Sequence, residues 1–417
     1  MFTGLKLVSK PTFLSWLRWD GKLILIAKGV RAFGFGFVSV VLFIYLNLIG
    51  LNVLWDGLMF SAIMASGALF TVLGSLYADR IGRRRYLLLL AALMGVSGLV
   101  YAYTTNLVML VFASLVGALS ASGGDVGSFQ SIEQAALPQT CPRERRNSAF
   151  AMYNVTGRLG ASIGALFSGL PALLQFHLGS GILGTYRPLF ISYVLVAMVT
   201  FLIYAQLSKQ IEHPSIDQLQ KNTFRISQES KSIIARLALL IGIDSFAGGF
   251  VLQSIVSFWF YTKFHVAISE LSLIFFLTGL LSAGAFIASG RLADRIGAIN
   301  TMVFTHLPSS IFLKLIPLAP NFASSLGLYL IRQPLSLMDV PARQSYVVSV
   351  VQPSERTMAT GISNIASNSA TAISPSVTGI VMQFISLSIP FYVCGVLKIL
   401  YDLTLYRNFR KVKENKE

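Results

Sequence analysis

Charged residues are scarce in this sequence. They make up 12% of its 417 residues, about half the share of a typical soluble domain. Because 54% of the residues are apolar and the mean hydropathy is +0.68, the composition excludes a soluble globular enzyme and a disordered chain. Only two cysteines occur, one in a loop and one in the last apolar run, which excludes a disulfide framework.

Motifs of the common catalytic classes are missing as well. The sequence has no G-x-x-x-x-G-K-[ST] phosphate loop, no H-E-x-x-H and no G-x-S-x-G. Its four histidines are scattered without metal-ligand spacing. We therefore predict neither an enzyme, nor a metal site, nor a bound cofactor.

Apolar runs long enough to cross a bilayer are abundant. About 20 apolar residues span a membrane, and twelve such runs occur, at 23–46, 56–78, 86–104, 107–136, 148–173, 187–207, 233–261, 268–292, 299–318, 322–349, 357–385 and 388–406. The longest polar segment divides them six and six. We predict a tail (1–22, without a cleavable signal), a six-helix bundle (23–207), a central loop (208–232), a second bundle (233–406) and a basic tail (407–417).

The net charge of +16 could indicate a nucleic-acid partner, which requires basic residues gathered on one face. Here the cations are dispersed over short loops. With the N-terminus placed inside, the outer loops hold only Arg187 and Lys263. This asymmetry matches the positive-inside rule. It predicts a multi-pass cell-membrane protein with both termini cytoplasmic and no nucleic-acid partner.

The two halves of the sequence repeat one another. Ala-Asp-Arg-Ile-Gly occurs at 78–82 and at 293–297, and residues 29–38 in span one match 242–251 in span seven at nearly the same separation. Because each half begins on the same side, we expect two similar bundles in the same orientation, related by an axis along the membrane normal.

The loop after the second span of each half resembles a motif of the major facilitator superfamily, G-x-L-A-D-R-x-G-R-R. The copy at 290–297 fits up to the glycine but lacks the following bases, and the copy at 77–84 keeps the charges but has Ser75 in place of the first glycine. The resemblance covers about 20–406. It implies an all-α polytopic membrane protein with twelve transmembrane helices in two pseudo-symmetric six-helix bundles.

The resemblance also implies a gate at these loops, with Asp79 and Arg83 acting in the first half and Asp294 in the second. The motif needs a tight turn, which glycine permits. The alternative, that the bases only fix topology, stays open. The gating candidates are Asp79, Arg80, Gly82, Arg83, Glu133, Asp294, Arg295 and Gly297.

Several predicted spans contain charges, each costing roughly 2.5–3.5 kcal/mol on insertion scales. In the family, spans one, four, seven and ten line the central cavity, and all four are charged here. The candidates for substrate or proton binding are Arg31, Asp125, Gln130, Asp244, Arg332, Asp339 and Gln344.

Some of these charges suggest specific partners. Arg31 and Asp244 occupy equivalent repeat positions, which suggests either a pair across the cavity that substrate or a proton breaks, or a static ion pair. Glu133 could carry a proton or anchor the Arg83 network. Asp125 could carry a proton, and we expect Arg158 to pair with an acid.

A secondary transporter working by alternating access is the function that the sequence favours. Our first expectation is a proton-coupled exporter of drug-like or metabolite molecules, because the first span is rich in phenylalanine. The alternatives are a proton-coupled importer of an organic anion, held by Arg31 and Arg332, or a transport-dead receptor or scaffold. The expected partners are a small-molecule substrate, protons and the lipid bilayer, and we expect a monomer.

Overall fold

A computed structural model describes residues 15–117, 119–120, 122–124, 127–142, 145–178, 182–212, 228–351 and 355–410. Asp125 and parts of both predicted tails lie outside these residues. Within them the chain is helical and has no strand. The helices are α1 (Trp19–Leu48), α2 (Val53–Ile81), α3 (Arg83–Tyr103), α4 (Leu107–Val116), α5 (Ser128–Ala136), α6 (Arg146–Phe167), α7 (Leu170–Leu178), α8 (Arg187–Ala205), α9 (Gln228–Gly249), α10 (Gln253–Phe264), α11 (Ile268–Ile296), α12 (Ala298–Leu315), α13 (Phe322–Leu337), α14 (Asp339–Ser349), α15 (Arg356–Phe384) and α16 (Ile389–Phe409).

These helices account for the twelve predicted spans. Spans four, five, seven and ten are each made of two consecutive helices, and every other span is a single helix. Nine segments of the described chain are long and apolar enough to cross a membrane. The other three spans are interrupted or polar: four and ten are split, and α15 is rich in serine, threonine and asparagine. The predicted all-helical membrane fold is confirmed.

Helix packing follows the sequence repeat. In the first half α1 packs on α6 and α3 packs on α8, and the equivalent pairs α9–α15 and α12–α16 form in the second half. Between the halves α2 packs on α15, and α11 packs on α6. Equivalent spans therefore make equivalent contacts, as expected of two bundles with one fold.

Small residues bring the helices into backbone contact. A Cβ atom added at Gly36 of α1 would lie 2.1 Å from the carbonyl oxygen of Ala161 in α6. Between the halves, a Cβ atom at Gly57 of α2 would lie 2.5 Å from the carbonyl oxygen of Pro375 in α15. Without hydrophobic driving force in lipid, such close approach is a main source of helix association.

The halves touch at one end of the molecule and separate at the other. Ser257 Oγ donates a hydrogen bond to the carbonyl oxygen of Val40 over 2.7 Å, and the hydroxyls of Ser61 and Ser376 are also 2.7 Å apart. Toward the motif loops, a Cβ atom at Gly361 of α15 would meet nothing within 4 Å. Near the motif loops no described hydrogen bond joins the halves, which indicates that the space between them opens at this end.

This arrangement predicts a selective cross-link. In a background lacking the native thiols, Ser61→Cys/Ser376→Cys should form a disulfide on mild oxidation, because the two hydroxyls are 2.7 Å apart. Ser75→Cys/Gly361→Cys is the matched control, since it has the same antiparallel register at the separated end. A band shift on non-reducing gels measures both. Cross-linking of the control pair alone would contradict this geometry.

Candidate functional site: two buried charge clusters

The first half contains a fully buried ion pair between spans one and four. Arg31 Nη2 lies 2.6 Å from Glu133 Oε2, and both side chains have 0% exposure. The hydroxyls of Tyr153 and Tyr204 each donate a hydrogen bond of 2.7 Å to the same carboxylate. The Arg31 guanidinium also lies over the Phe129 ring, 4.3 Å from its centroid. This first-half cluster satisfies both carboxylate oxygens with several donors, as a buried pair requires.

These contacts correct two expectations. Arg31 is not available as a clamp for an organic anion, because its guanidinium is buried and paired with Glu133. Glu133 does not anchor the Arg83 network, since its oxygens are bound to Arg31 and two tyrosines. Both groups hold spans one, four, five and six together instead.

The second half contains a longer chain of buried polar groups around Asp244. Its Oδ2 accepts a hydrogen bond of 2.8 Å from Arg343 Nη1, and its Oδ1 accepts one of 2.6 Å from Lys398 Nζ. Lys398 Nζ lies 3.2 Å from His306 Nε2, and His306 Nδ1 lies 2.9 Å from Asp402. An ammonium only donates, so Nε2 accepts and the imidazole proton is assigned to Nδ1, facing Asp402.

The second-half cluster contains more carboxyl groups than hydrogen-bonded cations. Asp339 Oδ2 lies 3.9 Å from Arg343 Nε, so three carboxyl groups (Asp244, Asp339 and Asp402) belong to a set with two permanent cations (Arg343 and Lys398). If all three carboxyl groups are ionised, the binding of one proton makes this set neutral. The Arg343 side chain is 20% exposed, whereas that of Asp402 is 0% exposed, so the chain runs from the edge of the bundle to its interior.

Three groups of this cluster could in principle hold a metal ion. Ligand atoms of Asp244, His306 and Asp339 lie within 4.8 Å of one another. The Lys398 ammonium, however, is 2.6 Å from the Asp244 oxygen and 3.2 Å from His306 Nε2. A lysine cation therefore already occupies the position between two of the three ligands.

The predicted pair across the cavity is wrong. Asp244 binds Arg343 and Lys398 of its own half, and Arg31 binds Glu133 of its own half. In each half, the first span is paired with the fourth, with the charges exchanged between the repeats. The expected local pair of Asp339 with Arg343 is present at 3.9 Å but is longer than the Arg343–Asp244 bond.

The remaining cavity candidates make no described hydrogen bond to either cluster. Arg332 is buried and donates to Gln333 Oε1 (3.1 Å) and Ser336 Oγ (3.3 Å), so it is no free clamp. Gln130 is half-buried and Gln344 is exposed. Asp125 lies outside the described residues.

The phenylalanines of the first span do not line a path. Phe35, Phe37 and Phe43 are at most 3% exposed and belong to the hydrophobic core. Phe37 packs edge-on against Phe167 with centroids 5.5 Å apart, and Phe43 packs on Phe258 at 4.6 Å. Their role in the structure is packing between helices.

The motif loops have the predicted turns. Gly82 has φ +104° and Gly297 has φ +87°, values that favour glycine. Arg83 Nε donates to Asp79 Oδ1 over 2.7 Å, and Glu212 accepts from the Arg83 backbone N–H at 2.6 Å. Their gating role stays a prediction, as it does for the exposed residues Arg80, Asp294 and Arg295.

Sequence reasoning missed half of the second-half cluster. The sequence patterns assign no role to His306, Lys398 or Asp402. A signal was present, because Lys398 and Asp402 stand at i, i+4 in an otherwise apolar span and such pairs share a helix face. The tyrosines of the first-half cluster carried no comparable signal.

A polar pocket lies between the halves, where α2, the α4–α5 connection and α15 meet. Its described lining is apolar on the α2 side and carries hydroxyl and amide groups elsewhere, without a charged residue: Ile63, Met64, Gly67, Ala68, Leu119, Ser120, Ser122, Gly127, Ser367, Asn368 and Thr371. Such groups can hydrogen-bond to a polar solute.

Two repeated six-span bundles around a shared cavity are the architecture of a membrane carrier. The family model of the major facilitator superfamily matches residues 24–338. The chain belongs to the major facilitator superfamily, which confirms the resemblance found in its motif loops. Membership of this family supports a secondary transporter of small molecules.

Similar proteins agree with this assignment. An uncharacterized membrane protein of Saccharomyces cerevisiae is 27% identical over 421 residues, covering 93% of each chain. A D-xylose-proton symporter has the same fold, with a TM-score of 0.74 and 13% identity over 95% of this chain and 98% of that one. The human organic anion transporter MFSD10 has a TM-score of 0.65 and 17% identity, covering 93% and 98%.

One buried carboxyl group has no polar partner. Asp56 of α2 is 0% exposed, and neither of its carboxylate oxygens has a hydrogen bond. It lies beside Gly57, where α2 and α15 meet. Burying a charge without a partner is costly, so the two buried acids Asp56 and Glu133 should respond differently to neutralisation.

We expect Glu133→Gln to lower the free energy of unfolding by about 3–5 kcal/mol, because it leaves the Arg31 cation buried without its counter-ion. Asp56→Asn should leave the stability unchanged or higher, since a neutral amide is easier to bury than an unpaired carboxylate. Thermal unfolding in one detergent compares the two variants. Equal losses would show that the Arg31–Glu133 pair contributes no special stability.

A double-mutant cycle tests the Asp244–Lys398 contact. Asp244→Asn and Lys398→Met should each destabilise, and the double variant should be more stable than their sum by about 0.5–3 kcal/mol, as for residues in contact. The control cycle combines Asp244→Asn with Arg236→Met, because Arg236 is exposed and hydrogen-bonded to Ser232. Additivity in both cycles would argue against a direct interaction.

Proposed function

We propose that this protein is a proton-coupled transporter in which the second-half cluster binds the proton. The observation that carries this proposal is the continuous chain from Arg343 through Asp244, Lys398 and His306 to Asp402. Asp244, His306 and Asp402 can each bind or release a proton, and Lys398 can change the group to which it donates a hydrogen bond.

The charge balance supports the same role. With three carboxyl groups against two permanent cations, the cluster has room for one proton. His306 can receive this proton at Nε2 if the Lys398 ammonium turns away from it and binds Asp244 alone. Lys398 Nζ is already 2.6 Å from Asp244 Oδ1. The imidazolium would then face a carboxylate at each nitrogen, with Nε2 3.7 Å from Asp244 Oδ1 and Nδ1 2.9 Å from Asp402 Oδ1. Histidine is suited to such a switch.

Alternating access would arise from rocking of the two halves. The halves meet through neutral hydroxyl and backbone contacts at one end, such as Ser257 with Val40 and Ser61 with Ser376. Separating them would break few hydrogen bonds and no ion pair among the described residues. Motion about a fixed central site is the usual mode of carriers built from repeats.

For direction and location we propose proton symport into the cell, with both termini cytoplasmic. The core position of Phe35, Phe37 and Phe43 removes the sequence argument for export of apolar molecules. The structural relatives include a proton symporter and an organic anion transporter. The predicted topology places the closed end outside and the open end toward the cytoplasm.

A matched pair of histidine variants tests proton coupling. We expect an inwardly directed proton gradient to accelerate uptake of solute into proteoliposomes containing wild-type protein or His265→Asn. His306→Asn should lose this acceleration, because the chain between Lys398 and Asp402 is broken. His265 is the suitable control since it is exposed at a helix end with φ 53°, which asparagine tolerates.

Uptake of radiolabelled D-xylose and benzoate, each compared with protein-free vesicles, supplies the measurement. Retained gradient response in His306→Asn, with folding verified by gel filtration, would reject the cluster as the proton site. A solute taken up at equal rates with and without the gradient would reject proton coupling.

A further inference from the structure

We propose that Arg158 is the anion-binding residue of the transport cavity and that the substrate carries a carboxylate group. This inference deepens the proposed function, on which it rests. The observation behind it is that the Arg158 cation, in the middle of a span, has no counter-ion among the described residues.

Arg158 belongs to neither cluster, and its contacts differ from those of the arginines that do. Arg31 and Arg343 bind carboxylates at 2.6 and 2.8 Å. The guanidinium of Arg158 instead lies over the ring of Phe286, 5.2 Å from the centroid. Among the described residues, no carboxylate or other hydrogen-bond acceptor binds this guanidinium, which corrects the expectation that Arg158 pairs with an acid.

Arg158 lies too deep in its span for the guanidinium to reach the lipid headgroups easily. It is twelve residues from the start of α6 at Arg146, which is about 18 Å along a helix. The hydrocarbon core is about 30 Å thick, so Arg158 lies near its middle. A lipid headgroup at the surface is therefore too far away to be its counter-ion, and a small anion entering the cavity is the source we infer.

The residue lies at the boundary of the two halves, next to open space. One turn further along α6, Ser162 touches α11, where a Cβ atom at Gly279 would lie 2.0 Å from the serine oxygen. Phe286 is two turns beyond Gly279 in α11 and belongs to the other half. Beyond this crossing, a Cβ atom at Gly290 would meet nothing within 4 Å. Arg158 thus stands just inside the open part of the cavity.

A second polar group faces the same way. Asn154 is one helical turn before Arg158, toward the open end, and its side chain is exposed. Residues at i and i+4 share a helix face, so the amide and the guanidinium form one polar strip. A guanidinium binds a carboxylate through two parallel hydrogen bonds, and the Asn154 amide could donate a third.

The location suggests how binding affects transport. Arg158 belongs to the first half and stacks on Phe286 of the second, so the contact spans the moving interface. A carboxylate bound to the guanidinium would neutralise the cation where the halves meet. Closure of the cavity would then no longer bury an uncompensated charge, which is costly. The substrate would thereby favour its own occlusion.

A thiol-labelling experiment tests the site without requiring transport. Asn154→Cys, in a background with Cys141→Ser and Cys394→Ala, places a reporter thiol one turn from Arg158. The anionic 2-sulfonatoethyl methanethiosulfonate should react faster, relative to the cationic trimethylammonium analogue, than it does with free cysteine. Adding Arg158→Gln should lower this ratio at least about tenfold, because a nearby cation attracts anions strongly at low dielectric. Arg158→Lys should retain the preference, and Arg236→Gln should not change it.

A second measurement tests whether the site binds a carboxylate group. Sodium benzoate, compared with sodium chloride at equal ionic strength, should slow labelling when Arg158 is present and not in Arg158→Gln. Equal ratios with and without Arg158, or a thiol that neither reagent reaches, would overturn the proposed site. Equal labelling rates in benzoate and chloride would overturn the carboxylate assignment. Because labelling needs no proton gradient, these outcomes are independent of the His306 experiment.

Discussion

The neutralisation of buried charge inside each half is the constraint on which the rest of the structure depends. Arg31 is compensated by Glu133 in the first half, and Asp244 by Arg343 and Lys398 in the second. A buried ion pair is tolerated only with excellent geometry and further hydrogen bonds, and both clusters have them. Each bundle can therefore exist as a self-sufficient unit, so no ion pair of these clusters has to break when the bundles move.

The interface between the halves has the complementary chemistry. It includes close packing of Gly57 on the backbone of α15 and of Gly279 on the Ser162 side chain, and hydroxyl contacts such as Ser61 with Ser376. Net contributions of single neutral hydrogen bonds are about 0.5–1.5 kcal/mol, which suits a contact that must open repeatedly. Arg158, whose guanidinium has no hydrogen bond among the described residues, lies at this interface and stacks on Phe286 of the other half. Separation of the halves would therefore change the surroundings of Arg158, whereas the contacts of both clusters lie within one half.

Sequence reasoning could predict the fold because its signals are local or repeated. Span length follows from apolar runs, the repeat from the two Ala-Asp-Arg-Ile-Gly segments, and the positive φ of Gly82 from its place in a tight turn. Partner choice could not be predicted in the same way. The repeat shows only that the pseudo-symmetry axis relates the positions of Arg31 and Asp244. Residues related in this way need not be in contact. Each found a closer partner in the fourth span of its own repeat.

The second-half cluster shows a further limit of sequence reasoning. His306, Lys398 and Asp402 belong to spans nine and twelve, outside the four spans that the family resemblance assigns to the cavity. Their relation to Asp244 arises from packing of α12 on α16 and of α9 on α16, contacts between segments more than 90 residues apart. Only the i, i+4 spacing of Lys398 and Asp402 was visible beforehand. Long-range packing thus decides which buried charges act together.

The two proposed sites lie in different halves, and this separation constrains the coupling mechanism. The proton site is enclosed in the second bundle, and Arg158 stands on the first bundle at the interface. No described hydrogen bond joins them directly, so protonation and anion binding can influence one another only through the relative position of the halves. Coupling through a shared conformational equilibrium is reciprocal: if a bound carboxylate favours the closed cavity, then protonation that favours the same state must tighten carboxylate binding by the same factor.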